Sequence, residues 1–119
     1  MSKEFKMLIN GKWVSGAERI EVRNPYNQEI IGTVPKANSD EVDQAIASAA
    51  ESFEEISTMP AHQRSRILEK TSELLARNSD EIATIIATES GKAWKYSAGE
   101  VSRAVQTFKF AAEGAKNIH

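Results

Sequence analysis

Apolar positions in this 119-residue chain change their spacing once, near Pro35. Before Pro35 they alternate with polar positions over short runs, which is typical of half-buried strands. After it they recur every three or four residues over long stretches, which predicts amphipathic helices. The pattern therefore predicts a mostly helical α+β fold, with strands and turns in residues 1–35 and helices in residues 36–119.

The first part is predicted to contain short strands joined by tight turns. Asn10 and Gly11 favour a type I′ hairpin turn, because both central residues of that turn take positive φ. Pro25 marks a second turn, and Pro35 is expected to close the last strand. The predicted strands cover residues 5–9, 12–14, 19–23 and 29–34.

The second part is predicted to form four amphipathic helices. Asn38 and Glu41 have the spacing of a capping box, and residues 78–81 repeat that spacing before the third helix. Pro60 suits the first position of the second helix, and Gly91 can end the third in the left-handed conformation. The expected apolar faces are Val42, Ala45, Ile46, Ala49, Phe53 and Ile56; Ile67, Leu68, Leu74 and Leu75; Ile82, Ile85 and Ile86; and Trp94, Ala98, Val101, Val105, Phe108, Ala112, Ala115 and Ile118.

Composition removes several classes of function. A net charge of −2 gives no reason to expect nucleic acid or an anionic membrane as a partner. The chain has no cysteine, so disulfides, a cysteine-based zinc site and a thiolate nucleophile are excluded within it. No apolar run approaches the roughly 20 residues that span a bilayer, and the first residues do not resemble a signal peptide. A cytoplasmic location is expected.

Two charged residues are candidates for binding chemistry. Glu89 is expected in the last turn of a helix, where the helix dipole disfavours a negative charge, so a bound cation or Lys92 would offset that cost. A solvated helix end is an equally good interpretation. Arg103 lies beside the apolar stripe of the fourth helix, where it either snorkels at the edge of a core or holds an anionic group bidentately.

A series of short motifs along nearly the whole chain resembles the opening segment of aldehyde dehydrogenases. Each motif is weak alone, but their order and spacing are specific. They are Ile9-Asn10-Gly11-Lys12-Trp13, residues 24–31, Val34-Pro35, residues 41–45, Ala49-Ala50 with Phe53, residues 64–68, Leu74-Leu75, Glu89-Ser90-Gly91-Lys92, and Glu100-Val101 with Arg103-Ala104. Ala93 departs from the pattern, since many relatives carry proline there.

The resemblance implies that residues 1–119 are a single N-terminal part of such an enzyme, belonging to its NAD(P)-binding domain. In that family the nucleophilic cysteine, the oxyanion asparagine, the general-base glutamate and the cofactor glycines come later in the chain. No catalytic or cofactor-binding residue is therefore expected here. The complete enzyme would use NAD or NADP to oxidise an aldehyde, and this chain alone is expected to bind neither cofactor and to be inactive.

The resemblance also suggests roles for three residues. Glu89 matches a position whose carboxylate can lie near a structural monovalent cation, together with the backbone around Val22. Arg103 matches a position on the helix that lines the substrate entrance, which suggests an anionic aldehyde such as a phosphorylated aldehyde or a semialdehyde.

Two functional hypotheses stay open on the sequence. The chain is either a piece of a dehydrogenase or a non-catalytic helical binding or dimerisation module derived from that family. Its expected partners are the remainder of the enzyme or further copies that associate through exposed apolar helix faces. The first hypothesis predicts surplus apolar surface, and the second predicts a soluble monomer or a closed dimer.

Overall fold

A computed structural model describes residues 3–118 of the chain. The described residues form short strands followed by helices, which confirms the predicted α+β pattern. The elements are β1 (Lys3–Glu4), β2 (Met7–Ile9), β3 (Lys12–Val14), β4 (Glu18–Arg23), β5 (Ile30–Lys36), α1 (Ser39–Thr58), α2 (Ala61–Arg77), α3 (Ser79–Ser90) and α4 (Trp94–Ala115). The chain divides into two compact units, residues 1–57 and residues 58–119. That residues 1–119 form a single N-terminal part of an enzyme stays a prediction.

The strands make two small sheets. β2 and β3 pair as an antiparallel hairpin, and β1, β5 and β4 form a three-stranded sheet in that order. In the hairpin turn Asn10 has φ 49° and Gly11 has φ 69°, so both central residues take the positive φ that the type I′ prediction requires. The local dipeptide therefore sets the register of the hairpin.

β5 differs from its prediction because it continues through Pro35 to Lys36. β1 runs parallel to β5 and pairs with it only at Gly32 and Thr33, so one edge of β5 is open at Pro35. A proline is tolerated at an open edge, since its missing N–H costs no ladder hydrogen bond there. At Gly32 a Cβ atom would lie 2.9 Å from the Lys3 carbonyl oxygen, so the approach of β1 requires a glycine.

Arg19 on β4 ties these strands together. Its Nε donates to Thr33 Oγ1 at 2.9 Å, and its Nη2 donates to the carbonyl oxygens of Phe5 at 2.7 Å and Thr33 at 3.0 Å. Its Nη1 also forms an ion pair with Glu4 at 3.3 Å. A single guanidinium therefore links β4 to β5 and to the segment around β1.

The helix ends follow the sequence signals in two of the four places where the sequence offers one. Glu41 N–H donates to Asn38 Oδ1 and Asn38 N–H donates to Glu41 Oε2, each at 2.9 Å, which confirms the capping box of α1. Gly91 ends α3 at φ 69°, also as predicted. The second capping box is wrong, because Asn78 donates its side-chain amide back to the Leu74 carbonyl at 2.7 Å. Only Asn78 separates α2 from α3. Its side chain caps the C-terminal end of α2 and makes no capping hydrogen bond at the start of α3.

In the second unit α2 and α3 pack on α4. The buried apolar residues are Ala83, Val101, Val105, Ala112 and Ala115, and the last four belong to the face predicted for α4. The helix ends at Ala115, however, so Ile118 lies beyond it and is exposed. Likewise Pro60 precedes α2 rather than filling its first position.

Serines occupy buried positions that the apolar pattern did not predict. Ser65, Ser72 and Ser97 are at most 2% exposed, whereas Ile67 and Leu74 of the predicted α2 face are 52% and 43% exposed. Ser72 Oγ donates to the Val105 carbonyl oxygen on α4 at 2.9 Å. The side chains buried on α2 and α4 are thus all serine, alanine or valine, and such small side chains allow two helix backbones to come close together.

The predicted apolar face of α1 is exposed. No residue of α1 is buried, and Val42, Ile46, Phe53 and Ile56 are between 46% and 70% exposed. The described helices contain no segment long and apolar enough to cross a membrane.

Candidate functional site

Arg103 lies near the middle of α4, and its guanidinium is open. Arg103 is exposed, and within residues 3–118 its side chain makes no hydrogen bond or ion pair. Gly99, one turn earlier, leaves room beside it, since a Cβ atom there would lie 3.8 Å from Arg103 Nη1. A guanidinium has N–H donors in a planar fork that matches a carboxylate or phosphate. The side chain therefore has the charge and the open donors needed to bind an anion.

Lys92 and Glu100 form an ion pair next to Arg103. Lys92 lies in the segment between α3 and α4, and its Nζ donates to Glu100 Oε1. The hydrogen bond from Lys92 lowers the pKa of Glu100 below its ordinary value; burial opposes this change, and the charges of Lys92 and Arg103 add to it. Glu100 is therefore a carboxylate at neutral pH, with its charge held by Lys92.

One interpretation of the sequence expected Lys92 to offset the charge of Glu89. In the structure Lys92 pairs with Glu100 instead. Glu89 is exposed in the last turn of α3, and its side chain makes no hydrogen bond or ion pair with any of residues 3–118. Val22, the other residue of the expected cation site, is half-buried in β4. The two residues belong to different compact units, so the monovalent-cation site stays a prediction.

Sequence reasoning missed the contact between Lys92 and Glu100. The two residues are eight positions apart, and Lys92 precedes the first residue of α4. Helical spacing rules apply to pairs three or four residues apart within one helix, so they give no signal for this pair. In the described part of the chain, no three histidine, cysteine or acidic side chains form a cluster that could hold a metal ion.

Comparison with known proteins places this fold among enzymes. The structure of aldehyde dehydrogenase 21 from Physcomitrella patens, in complex with the reaction product succinate, matches the whole chain with a TM-score of 0.96 and 32% identity, and the match covers 25% of that enzyme. The fold is therefore that of a dehydrogenase segment. Solved structures with the same fold include NAD-dependent and NADP-dependent enzymes.

Sequence comparison defines the family. The model of the aldehyde dehydrogenase family matches residues 13–119, so the chain belongs to this family. It is 38% identical to 3-sulfolactaldehyde dehydrogenase of Priestia aryabhattai over 98% of its own length and 24% of that protein. It is 41% identical to lactaldehyde dehydrogenase of Methanococcus aeolicus over 89% of its own length and 23% of that protein. The chain thus spans about a quarter of the length of the relatives it matches.

Proposed function

We propose that this chain is the N-terminal part of an NAD(P)-dependent aldehyde dehydrogenase that oxidises an anionic aldehyde, and that Arg103 binds the anionic group. The observation that carries the proposal is the open guanidinium of Arg103 on α4. Two similar proteins support it, since one is named for a sulfonated aldehyde and the other was solved with a dicarboxylate product. The lactaldehyde enzyme acts on an uncharged aldehyde, so family membership alone does not select the substrate.

The oxidation itself is assigned to residues outside this chain. The family reaction needs a thiolate nucleophile, and the chain has no cysteine. NAD or NADP, held by residues outside this chain, would supply hydride-accepting chemistry in the complete enzyme. This chain contributes the scaffold of α4 and the charge of Arg103. Its chemical role is to bind and orient the substrate.

An assay of the purified 119-residue chain tests this division of roles. We expect no aldehyde-dependent formation of NADH or NADPH above a blank without protein, across sulfonated, carboxylated, phosphorylated and uncharged aldehydes. Reduction of either cofactor in proportion to the amount of chain would overturn the assignment.

Substitution of Arg103 in the full-length enzyme tests its role. Hydrogen bonds to charged groups contribute about 1.5–3 kcal/mol, so Arg103→Leu should raise KM for an anionic aldehyde about tenfold or more. The KM for an uncharged aldehyde of similar size should change less than about twofold by the same reasoning. Lys109→Leu, which removes an exposed cation elsewhere on α4, is the control. Equal changes in KM for charged and uncharged aldehydes would contradict the proposed function.

A non-catalytic helical binding or dimerisation module is the second candidate function. The exposed apolar face of α1 supplies a surface for such association, although the same surplus of apolar surface is expected of a piece of an enzyme. The two candidate functions predict different association of the isolated chain: a piece of an enzyme should associate without a fixed end point, whereas an independent module should be a monomer or a closed dimer.

A further inference from the structure

Three charged side chains lie near one another in the first half of α4 and the segment before it, and only two of them form an ion pair with each other. Glu100 and Arg103 are three residues apart on one helix, a spacing at which opposite charges commonly pair. Lys92 lies outside the helix and approaches Glu100 from the segment between α3 and α4. The carboxylate therefore has two possible cationic partners.

The structure pairs Glu100 with Lys92 and leaves Arg103 unpaired. Lys92 and Glu100 are in contact, with side chains 38% and 37% exposed. Within the described residues Arg103 forms neither an ion pair nor a hydrogen bond through its guanidinium. The Arg103 charge still acts on Glu100 over a longer distance, because it helps to lower the pKa of that carboxyl. The two side chains are thus close enough to interact, and Lys92 holds the closer contact.

A carboxylate that turned toward Arg103 would weaken anion binding in two ways. It would occupy N–H donors of the guanidinium, and it would repel an incoming carboxylate, sulfonate or phosphate. We propose that Lys92 is a positioning residue: by holding Glu100, it keeps the Arg103 guanidinium available to an anionic aldehyde. This inference rests on the proposed role of Arg103 in substrate binding.

The first test is Lys92→Met in the full-length enzyme, which keeps an apolar chain of similar length and removes the charge. Released from Lys92, Glu100 pairs with Arg103, and KM for an anionic aldehyde should rise about two- to fivefold, as expected for a partly exposed ion pair. The kcat should stay constant, and KM for an uncharged aldehyde should change little. Lys109→Met is the matched control on another face of α4 and should change neither constant.

The second test is rescue, which separates charge positioning from a structural role of Lys92. If Lys92 acts by holding Glu100, then Lys92→Met should have no effect on KM when Glu100 is already replaced through Glu100→Gln. Lys92→Arg should keep KM near the wild-type value, because it keeps the cation. A rise in KM caused by Lys92→Met in the Glu100→Gln background as well would overturn the inference.

Arg103→Leu, measured alongside, distinguishes failure of this inference from failure of the proposed function. If Arg103→Leu discriminates between charged and uncharged aldehydes while Lys92→Met leaves KM unchanged, the inference on Lys92 is wrong and the role of Arg103 stands. If Arg103→Leu shows no such discrimination, both are wrong. A rise in KM with Lys92→Met that disappears with Glu100→Gln is the expected result.

Discussion

Two buried serines on α2 differ in one hydrogen bond. Ser72 Oγ donates to the Val105 carbonyl oxygen, whereas Ser65 Oγ is buried with no partner among the described residues. A hydrogen bond contributes about 1 kcal/mol net, and an unsatisfied buried hydroxyl costs a similar amount. Ser72→Ala should therefore lower the free energy of unfolding by about 1 kcal/mol, and Ser65→Ala should raise it by up to about 1 kcal/mol. Urea unfolding measures both, and changes of the same sign would contradict the prediction.

Glu100 gives the chain a pH dependence with a defined sign. Because Lys92 lowers the pKa of Glu100 in the folded state, the stabilisation is fully present above the ordinary glutamate pKa of about 4.3 and is lost as pH falls through the lowered value. Lys92→Met combined with Arg103→Leu removes both cations that lower the pKa of Glu100, so the double substitution should raise that pKa toward its ordinary value and remove this part of the acid sensitivity. NMR titration of the Glu100 carboxyl measures the midpoint. A midpoint that the double substitution leaves unchanged would show that neither cation acts on Glu100 in solution.

At the scale of elements, two glycines of the helical part are expected to respond in opposite ways to replacement by alanine. Gly91 ends α3 at φ 69°, a conformation that strains an L-residue with a side chain, so Gly91→Ala should destabilise by about 1 kcal/mol. Gly114 lies within α4, and a Cβ atom there would meet nothing within 4 Å. Gly114→Ala should therefore stabilise the helix by about 0.5–1 kcal/mol. Thermal unfolding of the two variants checks the pair, and a stabilising Gly91→Ala would contradict the assigned end of α3.

Local signals predicted the elements well, whereas features set by neighbouring segments were missed. The Asn10-Gly11 turn and the end of α3 at Gly91 depend on a few adjacent residues, and both are present as predicted. Strand pairing at Pro35 depends on how far β1 extends, and the direction of the Asn78 amide depends on how close α2 and α3 lie. A pattern of a few adjacent residues predicts neither the length of β1 nor the closeness of α2 to α3.

The candidate site was partly predictable for the same reason. The family resemblance pointed to Arg103, because this residue matches a family position for which a role in substrate binding is expected. The resemblance gave no partner for Glu100, and the contact with Lys92 arises from the path of the chain between α3 and α4. The role of Arg103 and the cation site at Glu89 and Val22 both stay predictions.

At the scale of the whole molecule, the chain exposes apolar surface on several elements. Ile46 and Phe53 on α1 are 62% and 70% exposed, and Trp13 and Phe110 are 68% and 77% exposed. Within the second unit, a groove of about 530 Å³ along α2 also exposes apolar side chains, and it is lined by Met59, Gln63, Arg66, Ile67, Lys70, Thr71 and Leu74. Because the chain covers about a quarter of its relatives, the remainder of an enzyme is one partner that could cover such surface.

The isolated chain should therefore self-associate, since exposed apolar side chains gain free energy when they leave water. Sedimentation velocity over a range of concentrations measures this directly. Ile46→Lys combined with Phe53→Lys should shift the chain toward monomer, because a charge on the apolar face of α1 must be desolvated on association. Gln44→Lys, compared with Ile46→Lys alone, is the matched control, because each substitution adds one positive charge and Gln44 lies on the opposite face of α1. Open-ended association that grows with concentration favours a piece of an enzyme, whereas one closed dimer favours an independent module. A chain that stays monomeric at every concentration would contradict the expected self-association.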